Sequence, residues 1–164
     1  MDIEIRNMIP QDWEEVARIY SLGLEEGKST FQTTCPSFEE WDASHIKECR
    51  FILEVDGSIA GWAALSPTSS RAVYRGVVEA SIYLDSKFRS LGLGTVLLSH
   101  LCDESEKQGF YSLYASIFET NKASYNMNLK CGFREVGYRE KIAKDKFGNW
   151  QNTIIMERRS KKIF

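Results

Sequence analysis

The sequence has no long apolar segment and little net charge, and each absence excludes a class of function. No apolar run approaches the roughly 20 residues needed to cross a bilayer. The N-terminus, MDIEIRNMIPQDW, lacks the apolar core of a signal peptide. The net charge of -2 gives no general attraction to nucleic acid or to an anionic membrane. We therefore expect a cytoplasmic protein that binds neither nucleic acid nor a membrane.

Cysteine and histidine are also scarce, which limits the chemistry available. The four cysteines are scattered and include no C-x-x-C pair: Cys35, Cys49, Cys102 and Cys131. Their spacing leaves disulfide pairing open, but favours reduced, buried thiols in a cytosolic protein. The two histidines, His45 and His100, form no metal-ligand pattern, so we expect no metal site.

The chain has the length and patterning of one mixed α/β domain. Its 164 residues are 43% hydrophobic and 27% charged, and they contain no internal repeat, low-complexity tract or linker. We therefore expect residues 1–164 to form a single domain. Apolar periodicity predicts the order strand, two helices, three strands, helix, strand, helix and two strands, which favours a central sheet flanked by helices.

Turn and capping signals support this order. The DG pair at Asp56–Gly57 separates FILEV from SIAGWAAL, which is typical of a β-hairpin. The segment SFEE predicts a helix that begins with a capping box between Ser37 and Glu40. Pro10 suits the first turn of the first helix. Trp150 begins the second strand of a final hairpin around DKFGN.

The segment KFRSLGLGTVLL places two glycines between a predicted strand and a predicted helix. The N–H groups at a helix N-terminus attract anions, and side chains at Gly92 and Gly94 would keep a phosphate away from them. Arg89 can add a charge-assisted contact at the rim. The chain lacks a P-loop, and Leu97 stands where a dinucleotide fingerprint needs a third glycine. The two glycines alone could equally make a tight turn.

Two spaced motifs resemble those of the GCN5-related N-acetyltransferase (GNAT) superfamily. The stretch RSLGLG resembles its pyrophosphate motif, [RQ]-x-x-G-x-[GA], and NKASYNMNLKCGF resembles a second signature about forty residues later. The order of elements is also similar to the GNAT fold. The resemblance implies a mixed, mostly antiparallel, twisted sheet of about seven strands with four helices. It also implies a splay between the fourth and fifth strands, acetyl-CoA as cosubstrate and no metal.

Three further segments resemble the phosphinothricin and methionine-sulfoximine acetyltransferase branch: STFQTTCPSFEEW, RAVYRGVVEASIY and DKFGNW. This likeness spans residues 3–157. It implies transfer of acetyl to the α-amine of small amino-acid analogues. Members of this branch often form homodimers, and the aromatic-rich hairpin near Trp150 is a candidate contact.

Glu79 is the candidate general base, because an amine attacks a thioester only as the free base. It lies in the otherwise apolar strand VVEASIYL, where burial would raise its pKa. Val77, Glu79 and Ser81 share one face of that strand, so a solvated carboxylate is a weaker interpretation. The resemblance implies an oxyanion donor near the end of the same strand, a backbone N–H around Leu84.

The resemblance also implies where the cofactor binds. The expected contacts are the strand end, the glycine loop and the starts of two helices: Ile82, Tyr83, Leu84, Arg89, Ser90, Leu91, Gly92, Leu93, Gly94, Thr95, Asn121 and Ser124. Asn121 is the position expected to contact pantetheine. It is equally suited to cap its helix, and both roles can coexist.

Candidate substrate residues come from the same likeness. Arg71 and Arg75, with Tyr74 from an R-x-x-Y pattern, could bind an acidic substrate group through bidentate guanidinium contacts. Solvated loop arginines are the alternative. Phe31 and Tyr83 are candidates for the pocket wall beside Glu79, although aromatics in strands are more often core residues.

The sequence departs from the family pattern at the residue that usually protonates the leaving thiolate. Asn128 stands where tyrosine or histidine is usual, and an amide does not titrate near pH 7. Tyr125, one turn earlier, is therefore a second candidate beside water. Gln32 and Asn152 also differ from residues common in the branch, which affects the substrate more than the cofactor.

The sequence therefore predicts an acetyl-CoA-dependent N-acetyltransferase for a small primary amine, and the resemblance indicates an amino acid or an analogue. Attack would be direct in a ternary complex, because no cysteine lies in a nucleophile motif. A protein or peptide N-terminal acetyltransferase and a non-catalytic acyl-CoA sensor are the alternatives.

Overall fold

The computed structural model describes all 164 residues, Met1–Phe164, with seven strands in one sheet and four α-helices on its faces. The strands are β1 (Ile3–Asn7), β2 (Phe51–Val55), β3 (Ser58–Pro67), β4 (Val77–Leu84), β5 (Ser112–Phe118), β6 (Arg134–Lys144) and β7 (Trp150–Arg159). The helices are α1 (Trp13–Glu26), α2 (Phe38–Ser44), α3 (Leu93–Lys107) and α4 (Lys122–Lys130). None of the helices has the length and apolar character to cross a membrane. The predicted order of elements is confirmed.

The sheet is mixed and splits between β4 and β5. Its order is β1-β2-β3-β4-β5-β7-β6, and every neighbouring pair is antiparallel except β4 with β5. That parallel pair covers only residues 77–79 with 112–114. Beyond it, β4 stays paired with β3 alone and β5 with β7 alone. The predicted splay is therefore confirmed, and it leaves a gap between the second half of β4 and β5.

Each face of the sheet has its own hydrophobic core. On one face α3 packs on a cluster that includes Val78, and Ala80, Ile82 and Leu84 pack against it. On the other face α1 and α2 cover a cluster that Tyr83 joins. Because side chains alternate along a strand, Glu79 and Ser81 lie on the α1 face with Tyr83.

Local signals explain where the helices begin. Ser37 and Glu40 form the expected capping box at the start of α2, with both hydrogen bonds at 3.2 Å. The segment Pro10–Asp12 differs from the prediction, since it forms a 3₁₀ turn and α1 begins only at Trp13. The buried Asp12 carboxylate holds that turn, because it accepts from Ile9 N and pairs with Arg6.

Candidate active site

The gap between β4 and β5 exposes main-chain groups that could bind an extended ligand. Asp85 N donates to Ala60 O of β3 at 2.8 Å. Hydrogen-bonding groups alternate sides along an antiparallel strand, so the main chains of Ile82 and Leu84 face the gap. The distance along the strand from Ala80 to Leu84 is about 13 Å. A linear ligand in this gap would pair with β4 like an added strand.

Glu79 lies at the vertex of the gap. It forms the last β4 pair with β5, opposite Tyr114, and the strands separate immediately after it. Its side chain is partly buried, and this burial raises the pKa of the Glu79 carboxyl above its ordinary value. A carboxylate with a raised pKa at the closed end of a cleft is suited to accept a proton near neutral pH.

An aromatic layer forms the wall beside Glu79. The Tyr83 ring stacks on Trp62 at 5.0 Å and lies 4.8 Å from Tyr20 of α1. Gly23 makes room for this ring, because a Cβ there would lie 3.0 Å from Tyr83. Burial raises the pKa of Tyr83, and the nearby Glu79 charge adds to the rise. Tyr83 thus packs against the α1-side core and lies close to Glu79, and its place in the wall of a substrate pocket stays a prediction.

The segment 28–36 between α1 and α2 crosses the open side of the gap. Its Thr30 side chain neighbours the Tyr83 hydroxyl on β4. Its Phe31 ring packs on Phe118 of β5, with centroids 4.6 Å apart. One short segment therefore contacts both splayed strands. We call residues 28–36 the bridging loop.

The open end of the gap is lined by backbone donors. Ser90 and Gly92 both have left-handed backbone conformations, with φ of 63° and 77°. The first N–H groups of an α-helix have no intrahelical partner, and at α3 no side chain caps them. A Cβ at Gly92 would meet no atom within 4 Å. This arrangement forms a concave set of N–H groups that is suited to an anion such as a pyrophosphate.

Gly94 serves a different purpose from Gly92. We expected both glycines to clear space for a phosphate, but a Cβ at Gly94 would lie 2.8 Å from the Met127 sulfur of α4. The missing side chain at Gly94 therefore allows α3 and α4 to pack closely. Of the two glycines, only Gly92 borders open space.

Arg89, the predicted pyrophosphate contact, is engaged within the protein. Its Nη1 donates to both carboxylate oxygens of Glu26 at 2.7 Å, and its Nη2 donates to Leu84 O at 3.4 Å. The pair is partly exposed, so solvent weakens it. A phosphate that binds Arg89 would compete with Glu26 for the same guanidinium.

The predicted site residues of α4 and its N-cap each have a hydrogen-bond partner within the protein. Asn121 caps the helix, since its Oδ1 accepts from Ser124 N at 3.2 Å. Asn128 is buried, and its Nδ2 donates to Ser124 O at 2.8 Å. The Tyr125 hydroxyl donates to Glu135 of β6 at 2.6 Å, and this carboxylate raises the pKa of Tyr125. Asn128 and Tyr125 thus have different partners although they are three residues apart.

Comparison with known proteins identifies the family. A family model described as "Acetyltransferase (GNAT) family" matches residues 13–133, which is more than half of the chain. The chain belongs to the GNAT family. The predicted fold and enzyme class, an acyltransferase, are thereby confirmed.

Several relatives of this GNAT chain have assigned activities. It is 30% identical over 161 residues to "Phosphinothricin N-acetyltransferase" of Streptomyces viridochromogenes, covering 95% of this chain and 87% of the relative. It is 31% identical over 101 residues to "L-methionine sulfoximine/L-methionine sulfone acetyltransferase" of Pseudomonas aeruginosa, covering 62% of this chain and 58% of the relative. A phosphinothricin acetyltransferase from Sinorhizobium meliloti, solved in complex with AcCoA, superposes with a TM-score of 0.88 at 26% identity, covering 99% and 91% of the two chains. The predicted branch is confirmed.

The structure does not bring the predicted acid-binding residues of this GNAT protein together with Glu79. Arg71, Tyr74 and Arg75 line a groove of about 540 Å³ at the N-terminal end of β4, with Ile46 and Phe110 beside them. Glu79 is not among the residues that line this groove, although Val77, on the same face of β4, is. Their part in substrate binding stays a prediction. No cluster of His, Cys, Asp and Glu in this GNAT protein could hold a metal ion.

Sequence reasoning missed two parts of the GNAT site. The Glu26 partner of Arg89 carries no local signal, because the two residues are 63 positions apart. Thr30 lies in the first quoted branch segment, STFQTTCPSFEEW, but nothing in its spacing shows that it reaches Tyr83. Both contacts depend on the end of α1 lying beside the splayed strands.

Proposed function

We propose that this GNAT acetyltransferase transfers acetyl from acetyl-CoA to the primary amine of a small molecule, an amino acid or an analogue. The observation that carries the proposal is the arrangement of the two ends of the gap. Glu79 lies at its vertex, and the backbone anion site at Gly92 lies at its open end. The names of the relatives support an amino-acid-like acceptor. Residues 1–164 act as one domain.

Acetyl-CoA lies with its pyrophosphate at the N-terminus of α3 and its pantetheine along β4. The main chain of β4 pairs with pantetheine from one side, and Asn121 and Ser124 contact it from α4. The backbone set from Arg89 to Thr95 holds the pyrophosphate. The acetyl-CoA complex of the Sinorhizobium meliloti relative supports this cofactor.

The amine attacks the thioester directly within the ternary complex. Glu79 takes a proton from the ammonium group, directly or through water, so that the free amine can attack the carbonyl carbon. A β4 main-chain N–H, from Ile82 or Leu84, donates to the oxygen on which negative charge develops. The C–S bond then breaks and the nitrogen loses its remaining extra proton to water, so that the CoA thiolate and the acetylated amine are the products.

The leaving thiolate takes its proton from water or from Tyr125. Asn128 cannot supply it, because its amide does not titrate and its Nδ2 already donates to Ser124 O. Tyr125 carries a hydroxyl proton that Glu135 accepts, so proton transfer from this tyrosine requires that hydrogen bond to open. Both routes are consistent with a site that lacks the usual tyrosine or histidine.

Release of CoA thiol from acetyl-CoA tests the proposal over a panel of amines. We expect turnover with small amino acids or analogues, including phosphinothricin and methionine sulfoximine, and little or none with peptides. Binding of CoA without turnover on any amine would instead support an acyl-CoA sensor. Acetylation of peptide N-termini without turnover of small amines would identify a protein or peptide N-terminal acetyltransferase.

We also propose that the protein is a cytoplasmic homodimer with β6 at the interface. All four cysteines are unpaired, which suits a reducing compartment. β6 is an edge strand of the sheet, and Val136, Tyr138 and Ile142 on it are each about half exposed. An exposed edge strand with apolar side chains favours association with another strand.

Negative charge introduced on β6 is expected to dissociate the homodimer. The double variant Val136→Glu and Tyr138→Glu should elute at the mass of one chain in size-exclusion chromatography with light scattering, whereas the wild type elutes at twice that mass. Glu140→Gln, on the same strand, is the control and should stay dimeric. A monomeric wild type at micromolar concentration would contradict the interface.

A further inference from the structure

A lysine with no role in the proposed chemistry binds the C-terminal end of α1. Lys146 Nζ, from the turn between β6 and β7, donates to Leu24 O at 3.3 Å and to Glu25 O at 3.1 Å. These carbonyls belong to the last turn of α1, where the helix itself supplies no donor. A cation at this end also interacts favourably with the helix dipole. Lys146 therefore caps α1 from a distant part of the chain.

The β6–β7 turn is built to hold Lys146 in place. The buried Asp145 carboxylate accepts from Phe147 N at 2.9 Å and from Asn149 N at 3.0 Å through one oxygen. Its other oxygen accepts from Gln151 Nε2 at 2.8 Å. Gly148 supplies the left-handed residue of the turn, with φ of 83°. The backbone on both sides of Lys146 is thereby fixed.

The stem of Lys146 packs against the residue that ends α1. Gly27 has φ of 63°, and a Cβ there would lie 2.6 Å from Lys146 Cγ and Cδ and 3.0 Å from Phe147 Cε2. The Gly27 N–H donates to Gly23 O at 3.2 Å and so completes the last turn. The turn between β6 and β7 and the end of α1 therefore form one close-packed joint.

The bridging loop begins directly at this joint. Thr30 is three residues beyond Gly27 and neighbours Tyr83, and Phe31 is four residues beyond and packs on Phe118. A shift of the α1 end would move both contacts, because so few residues separate them from Gly27. These contacts cover the side of the gap that holds Glu79 and Tyr83, where the acceptor amine must approach.

We infer that Lys146 is a positioning residue for the bridging loop and thereby for the acceptor amine. The inference rests on the proposed function for its kinetic consequence, but not for its structural one. Lys146 acts through the α1 carbonyls and Gly27, and it touches neither the cofactor gap nor Glu79. Its loss therefore affects the acceptor more than acetyl-CoA.

Lys146→Met tests the inference, since methionine keeps an apolar stem against Gly27 and removes the donors. We expect KM for the amine to rise about tenfold, the effect of losing one or two charge-assisted hydrogen bonds. KM for acetyl-CoA should change less, because the α1 end reaches the cofactor site only through the partly exposed Glu26–Arg89 pair. Amide hydrogen exchange across residues 28–36 should become faster. In Lys146→Arg, which retains donors, the rise in KM for the amine and the increase in exchange should both be smaller.

Lys144→Met is the matched control. Lys144 lies two residues earlier on the same hairpin, and its ammonium group lies over Trp150 at 5.1 Å, so its loss leaves α1 untouched. Unchanged exchange in the bridging loop of Lys146→Met would overturn the inference whether or not the enzyme turns over any amine. Equal losses for both substrates together with a lower Tm would also overturn it, as a general structural effect. Absence of turnover in the wild type would reject only the proposed function.

Discussion

Glu79→Gln is expected to lower kcat/KM for the amine by roughly 100-fold or more, which is the usual contribution of a positioned general base. Glutamine keeps the shape of the side chain at the vertex of the gap but cannot accept a proton. Binding of acetyl-CoA should change little, because the cofactor contacts lie on the main chain of β4 and at α3. Steady-state kinetics with both substrates and direct titration of CoA measure the two effects.

The pH profile provides an independent check on the same residue. Burial raises the pKa of Glu79, so the wild-type kcat/KM should fall as the pH drops through that raised value and the base becomes protonated. Glu79→Gln should lose this acid limb.

The stability of the same variant separates a catalytic loss from misfolding. A carboxyl whose pKa is raised in the folded state costs stability above its unfolded pKa, and that cost is relieved as the pH falls through the folded pKa. The Tm of Glu79→Gln at neutral pH should therefore not fall. Glu4→Gln, an exposed glutamate on β1, is the control. Activity that survives Glu79→Gln with the same pH profile would remove Glu79 as the base.

Gly92→Val is expected to weaken acetyl-CoA binding by roughly 10- to 100-fold. A valine side chain would occupy the open space above the first N–H groups of α3 and keep the pyrophosphate from them. Hydrogen bonds to charged groups contribute about 1.5–3 kcal/mol each, which gives the expected range for the loss of one of them. Isothermal titration with CoA measures the effect directly.

Gly57→Val controls for the backbone strain of this substitution. Gly57 has φ of 81°, close to the 77° of Gly92, and a Cβ there also meets no atom within 4 Å. Both variants should lose similar stability, because valine is strained in the left-handed region. Only Gly92→Val should lose CoA binding. Equal CoA affinity in the two variants would place the pyrophosphate elsewhere.

Glu79 and Gly92 could be predicted because their signals are local. Glu79 is a charged residue in an apolar strand, and its burial follows from the alternation of VVEASIYL once a sheet is assumed. Gly92 lies in the loop between a strand and a helix, and its left-handed conformation is one that glycine adopts readily. The capping box at Ser37 and the order of the elements follow from equally short patterns.

The tertiary neighbours of Gly94 and Arg89 could not be predicted from local sequence patterns. The neighbour of Gly94 is Met127 of α4, and the partner of Arg89 is Glu26 of α1. No pattern within a few residues of either position distinguishes a phosphate contact from an internal one. The structure supplies the competing partners and shows that Gly94 lies directly against the Met127 side chain of α4.

Interactions within a few residues were enough to predict the order of the secondary structure elements, the capping box at Ser37 and a carboxylate at Glu79 in an apolar strand. Three further features are visible only in the folded chain: β7 lies between β5 and β6, β4 and β5 separate after Glu79, and Lys146 reaches α1. The last contact joins residues 121 positions apart. No short sequence pattern predicts such a contact, because it depends on which distant segments the folded sheet brings together.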